Sequence, residues 1–207
     1  SLTMTRIINL LSSQSDVERA LSRVSAKINN PRDLLLLKNF IENSEKIFLE
    51  VKEIKKKELE HLYPSKQSME NASRIKDLIS KNIIEAPPIN LNEGGVFRQY
   101  VSKDLDSLRN IKNEKQKEIL AMQEKYCRIT NISNLKIKFN NIHGYFIEVT
   151  NKNAEKISYS NEFKFTLIQN TVNNSRFQTD ELLKASIEIQ NAQEDAILLE
   201  KKLYSQI

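Results

Sequence analysis

Apolar residues recur along most of this chain at intervals of three and four, the spacing of amphipathic helices. In "SQSDVERALSRVSAKI" the stripe is Val17, Leu21, Val24 and Ile28, and Ser15 with Glu18 has capping-box spacing. A second helix is predicted from "NNPRDLLLLKNF". There Asn30 can cap, Pro31 suits the first helical position and Asp33 favours the positive helix end. Helical sequence runs on, with a break expected near Asn43–Ser44, until Tyr63–Pro64 stops it. A third helix covers about residues 66 to 83, and "APPIN" ends it. The mixed-sign run "KEIKKKELE" reads as a solvated helical face.

Past the "EGG" turn the pattern becomes more regular. A 4-3 spacing from Val101 selects nine positions, seven of them apolar: Val101, Leu105, Leu108, Ile119, Met122, Tyr126 and Ile129. Lys112 and Lys115 interrupt this heptad seam midway. A second seam near the C-terminus holds Leu182, Ala185, Ile189, Ala192, Ala196, Leu199 and Leu203, all apolar, and its alanines allow close approach of a partner helix. Thr179 is its expected N-cap, followed by Asp180 and Glu181. No Gly or Pro ends this helix, so a truncation at Ile207 is expected, and the leading "SLTM" is read as partly a tag remnant.

Between the seams the period changes from helical to alternating. Strands are expected in "LKIKFN", "YFIEVT" and "FKFTLIQNT", with "SRFQT" as a short fourth, separated by asparagines and serines that suit turns. Gly144 stands between the first two and calls for positive φ or a close approach that excludes a side chain. The simplest assembly is an antiparallel helical stalk carrying a small β unit at its tip. A helix of ~30 residues is ~45 Å long, so the tip is expected to stand well away from a helical base.

Composition removes several function classes. Only Gly94, Gly95 and Gly144 occur, so no glycine-rich phosphate loop can be written. Two histidines and one cysteine cannot build a Cys/His zinc site. His143 reads as a turn or strand-end residue, His61 as part of a charged helix and Cys127 as a packing or surface residue. Cys127 is single, which agrees with a reducing compartment, and no apolar run is long enough for a membrane span or a signal peptide. Net charge is +5 with pI near 9.1, which suits an anionic partner. The charge is uneven. Residues 131–179 hold six basic and three acidic residues, whereas 180–207 hold three basic and six acidic ones. Residues 131–179 also carry ten asparagines, whose amides can donate to phosphate oxygens, although A/T-rich codon usage accounts for asparagine equally well.

Four segments resemble the MutS family of DNA mismatch-repair proteins, in order and over essentially the whole chain. "LKIKFNNIHGYFIEVT" is similar to the strand-turn-strand of that family's clamp domain, with its G-Y-[YF]-I-x-[VI] core. "APPINLNEGGVFR" and "DLDSLR" resemble the segment leading into its long lever helix, and "DVERALSRV" with "NPRDLLLL" the start of its core domain. "RFQTDELL" resembles the return from clamp to lever, with Arg176, Phe177, Glu181 and Leu182 in register.

The resemblance implies a mainly α fold: a helical core (1–95), an outgoing lever helix (96–130), a small antiparallel β clamp domain (131–179) and a returning lever helix (180–207). It implies a middle section of a mismatch-repair protein, bacterial and cytoplasmic, that contacts the phosphate backbone of double-stranded DNA. The lever helices would couple that grip to an ATPase domain outside this sequence. ATP and Mg would belong to that domain, with no catalytic residue, metal or cofactor expected here. A second MutS subunit and a MutL-type protein are the implied partners.

The residues expected at DNA are Asn173, Asn174 and Arg176, then Lys152, Lys164 and Gln169. The competing reading of Arg176 is an ion pair within the domain at the helix start, and that of the lysines is plain solvation. Three departures from the family pattern stand out. Tyr100 replaces a usual Gly, so the backbone is expected to differ locally before the lever helix. Val172 lacks the basic residue of some relatives, and Asp180 stands where many have Pro. Two rival functions are a stalk-and-hinge protein with a dimerising β tip and a nuclease. The nuclease would need metal-binding carboxylates, for which Glu148 on a strand and Glu155 and Glu162 in a loop are the candidates.

Overall fold

A computed structural model describes residues 2–12, 16–53, 63–158 and 164–207. Ser15, His61, Glu162 and residues 54–60 of the charge run lie outside the described residues. The chain divides into two compact units, one formed by Ser1–Ser102 with Ile197–Ile207 and the other by Lys103–Ala196.

The first unit contains α1 (Leu2–Ser12), α2 (Val17–Ser25), α3 (Pro31–Glu53) and α4 (Lys66–Asn82), with α1, α2 and α4 each packed on α3. The helix α1 has no counterpart among the elements expected from the sequence. At α2 the cap is Asp16, whose carboxylate accepts the Arg19 N–H at 3.2 Å. The buried face is also turned from the expected stripe: Ala20 is buried while Leu21 and Ile28 are exposed. The reason is polar, because Arg23 reaches from α2 to form a two-point ion pair with buried Asp33 on α3.

The start of α3 follows expectation. Asn30 Oδ1 accepts the N–H groups of Arg32 and Asp33 at 2.9 and 3.3 Å, and Asp33 accepts back from Asn30 N at 3.0 Å. The expected break at Asn43–Ser44 is absent, since α3 is continuous from Pro31 to Glu53. Asn and Ser each cost only about 0.5 kcal/mol in a helix interior, unlike Pro. The neighbouring Glu45 holds Lys76 of α4 at 2.6 Å, so tertiary contact carries the helix through.

After α4, Ile83 and Phe97 pair as an antiparallel bridge, and both are buried. Buried Glu200 accepts the Gly95 and Val96 N–H groups at 3.1 and 2.9 Å. Tyr100 has φ +68°, the left-handed region that favours glycine, so the backbone keeps the conformation a glycine would adopt. Holding a side chain there costs about 1 kcal/mol, and Tyr100 is 91% exposed. Tyr100→Gly is therefore expected to raise stability by about 1 kcal/mol in a thermal melt. A lowered midpoint would show that the tyrosine ring contributes more than its backbone strain costs.

The second unit is built on α5 (Lys103–Thr130) and α7 (Asp180–Tyr204), the latter contributing its last residues to the first unit. Lys115 pairs with Glu188 at 2.9 Å and Lys125 with Glu181 at 3.0 Å, so the helices run antiparallel. Ile119, Tyr126, Leu182, Ala185 and Ile189 share one buried cluster, as the seams require. Val101 precedes the helix rather than opening it. Lys115 closes its own gap in the seam by bonding Glu188 and Glu118. Thr179 caps α7, its Oγ1 accepting the Leu182 N–H at 3.2 Å. Tyr126 OH lies 2.8 Å from Thr179 Oγ1 and 2.7 Å from Glu181, and burial pushes its pKa above the ordinary tyrosine value. That network ties the start of the returning helix to the end of the outgoing one.

Between these helices lie β1 (Lys136–Asn140), β2 (Gly144–Thr150), α6 (Asn151–Ser158), β3 (Thr166–Asn170) and β4 (Asn174–Gln178). The strands form one antiparallel sheet in the order β1-β2-β4-β3. Ile147, Val149 and Phe177 join Leu135 and α6's Ile157 in the same buried cluster as the stalk. The helix α6 was not expected, and it carries Glu155, which the sequence reading assigned to a loop. Among the described residues no helix is long and apolar enough to cross a membrane.

Candidate nucleic-acid interface

The turn from β3 to β4 is held from inside by hydrogen bonds to its own backbone. Thr171 N and Oγ1 both donate to Asn174 O at 2.8 Å, and Asn174 N returns a bond to Thr171 Oγ1 at 3.1 Å. Asn151, the first residue of α6, joins the turn from the side. Its amide donates to the carbonyls of Thr171 and Val172 at 3.2 and 3.0 Å, and its Oδ1 accepts from Ser175 at 2.9 Å. Its backbone N–H donates to Asn173 O at 3.1 Å. The carbonyls are thereby directed inward, leaving the Asn173 side chain exposed beside Val172, which is 94% exposed. Lys152 follows directly on α6 and is exposed as well.

The structure thus brings Asn173, Asn174 and Lys152 together at one corner of the sheet, with Asn174 half-buried. Gln169 is near them on β3 and accepts from Arg176 Nη1 at 2.7 Å. Lys164 is apart: it precedes β3, so the length of an extended segment, ~20 Å, separates it from the turn.

Arg176 is committed to a partner within the sheet. Its Nε donates to Glu148 Oε2 at 3.0 Å, and its guanidinium lies 4.7 Å from the centre of the Phe146 ring. The partner is the residue opposite on β2, not one at the start of the returning helix. Glu148 also receives Lys138 Nζ on its other oxygen at 2.6 Å. The Lys138 ammonium and the Arg176 guanidinium hold its carboxyl below the usual range, against the opposing effect of burial. Sequence alternation in "LKIKFN" shows Lys136 and Lys138 on one face. Nothing in the sequence shows that Glu148 lies between Lys138 and Arg176, because strand register sets that, nor that Asn151 anchors the turn.

Among the described residues no group of three or more His, Cys, Asp or Glu is placed to hold a metal. His143 sits in the β1–β2 turn with its ring edge-on to Phe146 at 6.4 Å, and Cys127 is a half-buried thiol near Leu135 O.

Residues 101–195 run from just before α5 through the sheet into α7, and they match the family model described as MutS family domain IV. The unit is a MutS-type arm, a small β clamp carried on lever helices. Similarity continues into the first unit. The chain is 34% identical over 205 residues to the DNA mismatch repair protein MutS of Rickettsia prowazekii (strain Madrid E), covering 99% of this chain and 23% of that protein. It is 33% identical over 204 residues to that of Caldicellulosiruptor saccharolyticus, with the same coverages, and 35% identical over 208 residues to that of Rickettsia bellii (strain OSU 85-389). The chain belongs to the MutS family, in its clamp and lever region. It spans less than a quarter of the length of these relatives.

Proposed function

We propose that the β clamp grips the sugar-phosphate backbone of duplex DNA without reading sequence, and that the lever helices couple this grip to an ATPase domain elsewhere in the intact protein. The observation that carries this reading is the corner of Asn173, Asn174 and Lys152 on a MutS domain IV tip. There, exposed amide and ammonium donors surround a turn whose own carbonyls are satisfied. Such donors position a protein on phosphates and carry no base information. Gln169 and Arg176 extend the contact along the sheet, and Lys164 reaches a more distant phosphate.

In this reading the stretch itself performs no catalysis and needs no cofactor; ATP and Mg belong to the ATPase domain. The functional division follows the core (1–95), lever (96–130), clamp (131–179) and returning lever (180–207). A second subunit supplies the opposite arm, a MutL-type protein is the downstream partner, and the site of action is the bacterial cytoplasm.

Titration of labelled duplexes at several salt concentrations tests the reading. With about three phosphate contacts, log K is expected to fall with log salt at a slope of about −3. The affinity should lie at about 10⁻⁴ to 10⁻⁶ M at physiological salt, the ordinary non-specific range. Lys152→Ala should weaken matched and mismatched duplexes alike and make the slope shallower by about one unit. Salt-insensitive or mismatch-selective binding by this chain would overturn the reading.

A further inference from the structure

We propose that the sheet face bearing Lys136, Lys138 and Arg176 extends the phosphate-binding surface beyond the turn, and that Glu148 beneath it acts as an internal counter-anion that weakens it. The inference rests on the DNA-binding reading above and names a regulatory residue within the same tip.

Charge counting comes first. Lys138 and Arg176 share the single carboxylate of Glu148, so one positive charge of the trio is left over. Lys136 lies opposite Glu148 on β1, is exposed, and forms no ion pair among the described residues. Three cations therefore crowd one carboxylate on a single face. Like charges on neighbouring strand positions repel, so the arrangement is relieved when a further anion arrives.

The donor inventory agrees. Of the five guanidinium N–H groups, Nε donates to Glu148 and one on Nη1 donates to Gln169, which leaves three. Of the three ammonium N–H groups of Lys138, one is used by Glu148, which leaves two. The Lys138 side chain is 51% exposed and that of Arg176 24%, whereas Glu148 is buried beneath them. Phosphate oxygens can therefore reach the remaining donors while Glu148 stays in place. The Phe146 ring under the guanidinium and the Glu148 bond to Nε fix the orientation of Arg176, which favours the planar, two-point approach typical of arginine with phosphate. The carboxylate lies close enough that salt screens it little. Its charge cancels part of the attraction that the two cations exert on a phosphate.

The test uses the whole chain and a labelled duplex titrated with salt, with melting recorded for each variant. Glu148→Gln is expected to tighten binding about tenfold at low salt and steepen the salt slope by about one unit. Glu124→Gln, the same change in net charge on the exposed side of α5, should shift affinity less than twofold. Lys136→Ala leaves the Glu148 cluster intact and should weaken binding and make the slope shallower by about one unit. It keeps the test open if Glu148→Gln disturbs the fold. Equal effects of Glu148→Gln and Glu124→Gln, or wild-type slope in Lys136→Ala, overturn the inference. If Lys152→Ala weakens binding while those results hold, only this extension of the surface is lost. If Lys152→Ala also binds as wild type, the DNA-binding reading itself fails.

Discussion

Gly144→Val is expected to unfold the β tip while α1 to α4 stay folded. Gly144 has φ +66°, and a Cβ built there would collide with Ser186 Oγ on α7. The left-handed conformation costs an ordinary side chain about 1–2 kcal/mol, and a β-branched one is a true outlier there. The collision adds about 1–3 kcal/mol, the usual penalty of overpacking. Rotating Ser186 away to make room would give up the bond that its Oγ accepts from the Tyr145 N–H at 3.3 Å.

The two costs can be separated. Gly144→Ala brings both, but Ser186→Ala removes the oxygen and leaves only an ordinary contact of 3.7 Å to Ser186 Cβ. The double variant should recover about 1 kcal/mol or more of the Gly144→Ala loss, as coupled neighbours do. Amide spectra of residues 144–150 and 66–82, followed through a urea titration, report tip and base independently. Native tip signals at an unchanged midpoint in Gly144→Val would contradict the conformation described here.

Ala185→Glu is expected to open the helix pair of the second unit. Ala185 is 3% exposed and sits in one cluster with Ile119, Tyr126, Leu182 and Ile189. The cations on either side, Lys115 and Lys125, already serve Glu188 and Glu181. A new carboxylate would be buried without a partner, at a cost of about 3–5 kcal/mol. Ile187→Glu is the control, since Ile187 is exposed on the same helix and a surface change there should stay within about 0.5 kcal/mol. Ala192, also buried, offers the same test further along the seam. Denaturant midpoints measure the difference, and equal midpoints for Ala185→Glu and Ile187→Glu would refute the packing of α5 on α7.

The seams, the caps at Asn30 and Thr179, and the alternating strands were legible because each is a local signal. Side chains three or four apart share a helix face, those two apart share a strand face, and a cap acts within three residues. The identity of the family was legible for a related reason: several short segments kept their order and spacing. The α2 face was misread because the apolar stripe alone did not reveal that Arg23 would pair with Asp33. The continuity of α3 was misread because the weak propensities of Asn43 and Ser44 were outweighed by packing on α4. The short helix α6 was missed because its eight residues are too few to carry a sustained apolar stripe.

At the candidate interface the sequence by itself determined which residue types the tip holds, its positive balance and the asparagines of its turn. Only the tertiary structure decided how they are used. Antiparallel register set Glu148 opposite both Lys136 and Arg176, Asn151 closed on a turn twenty residues away, and Lys164 was left ahead of β3, away from that turn. The physical reason is that an ion pair or a side-chain bond across strands depends on which residues lie opposite. A shift of one residue in register would turn every one of these side chains to the other face.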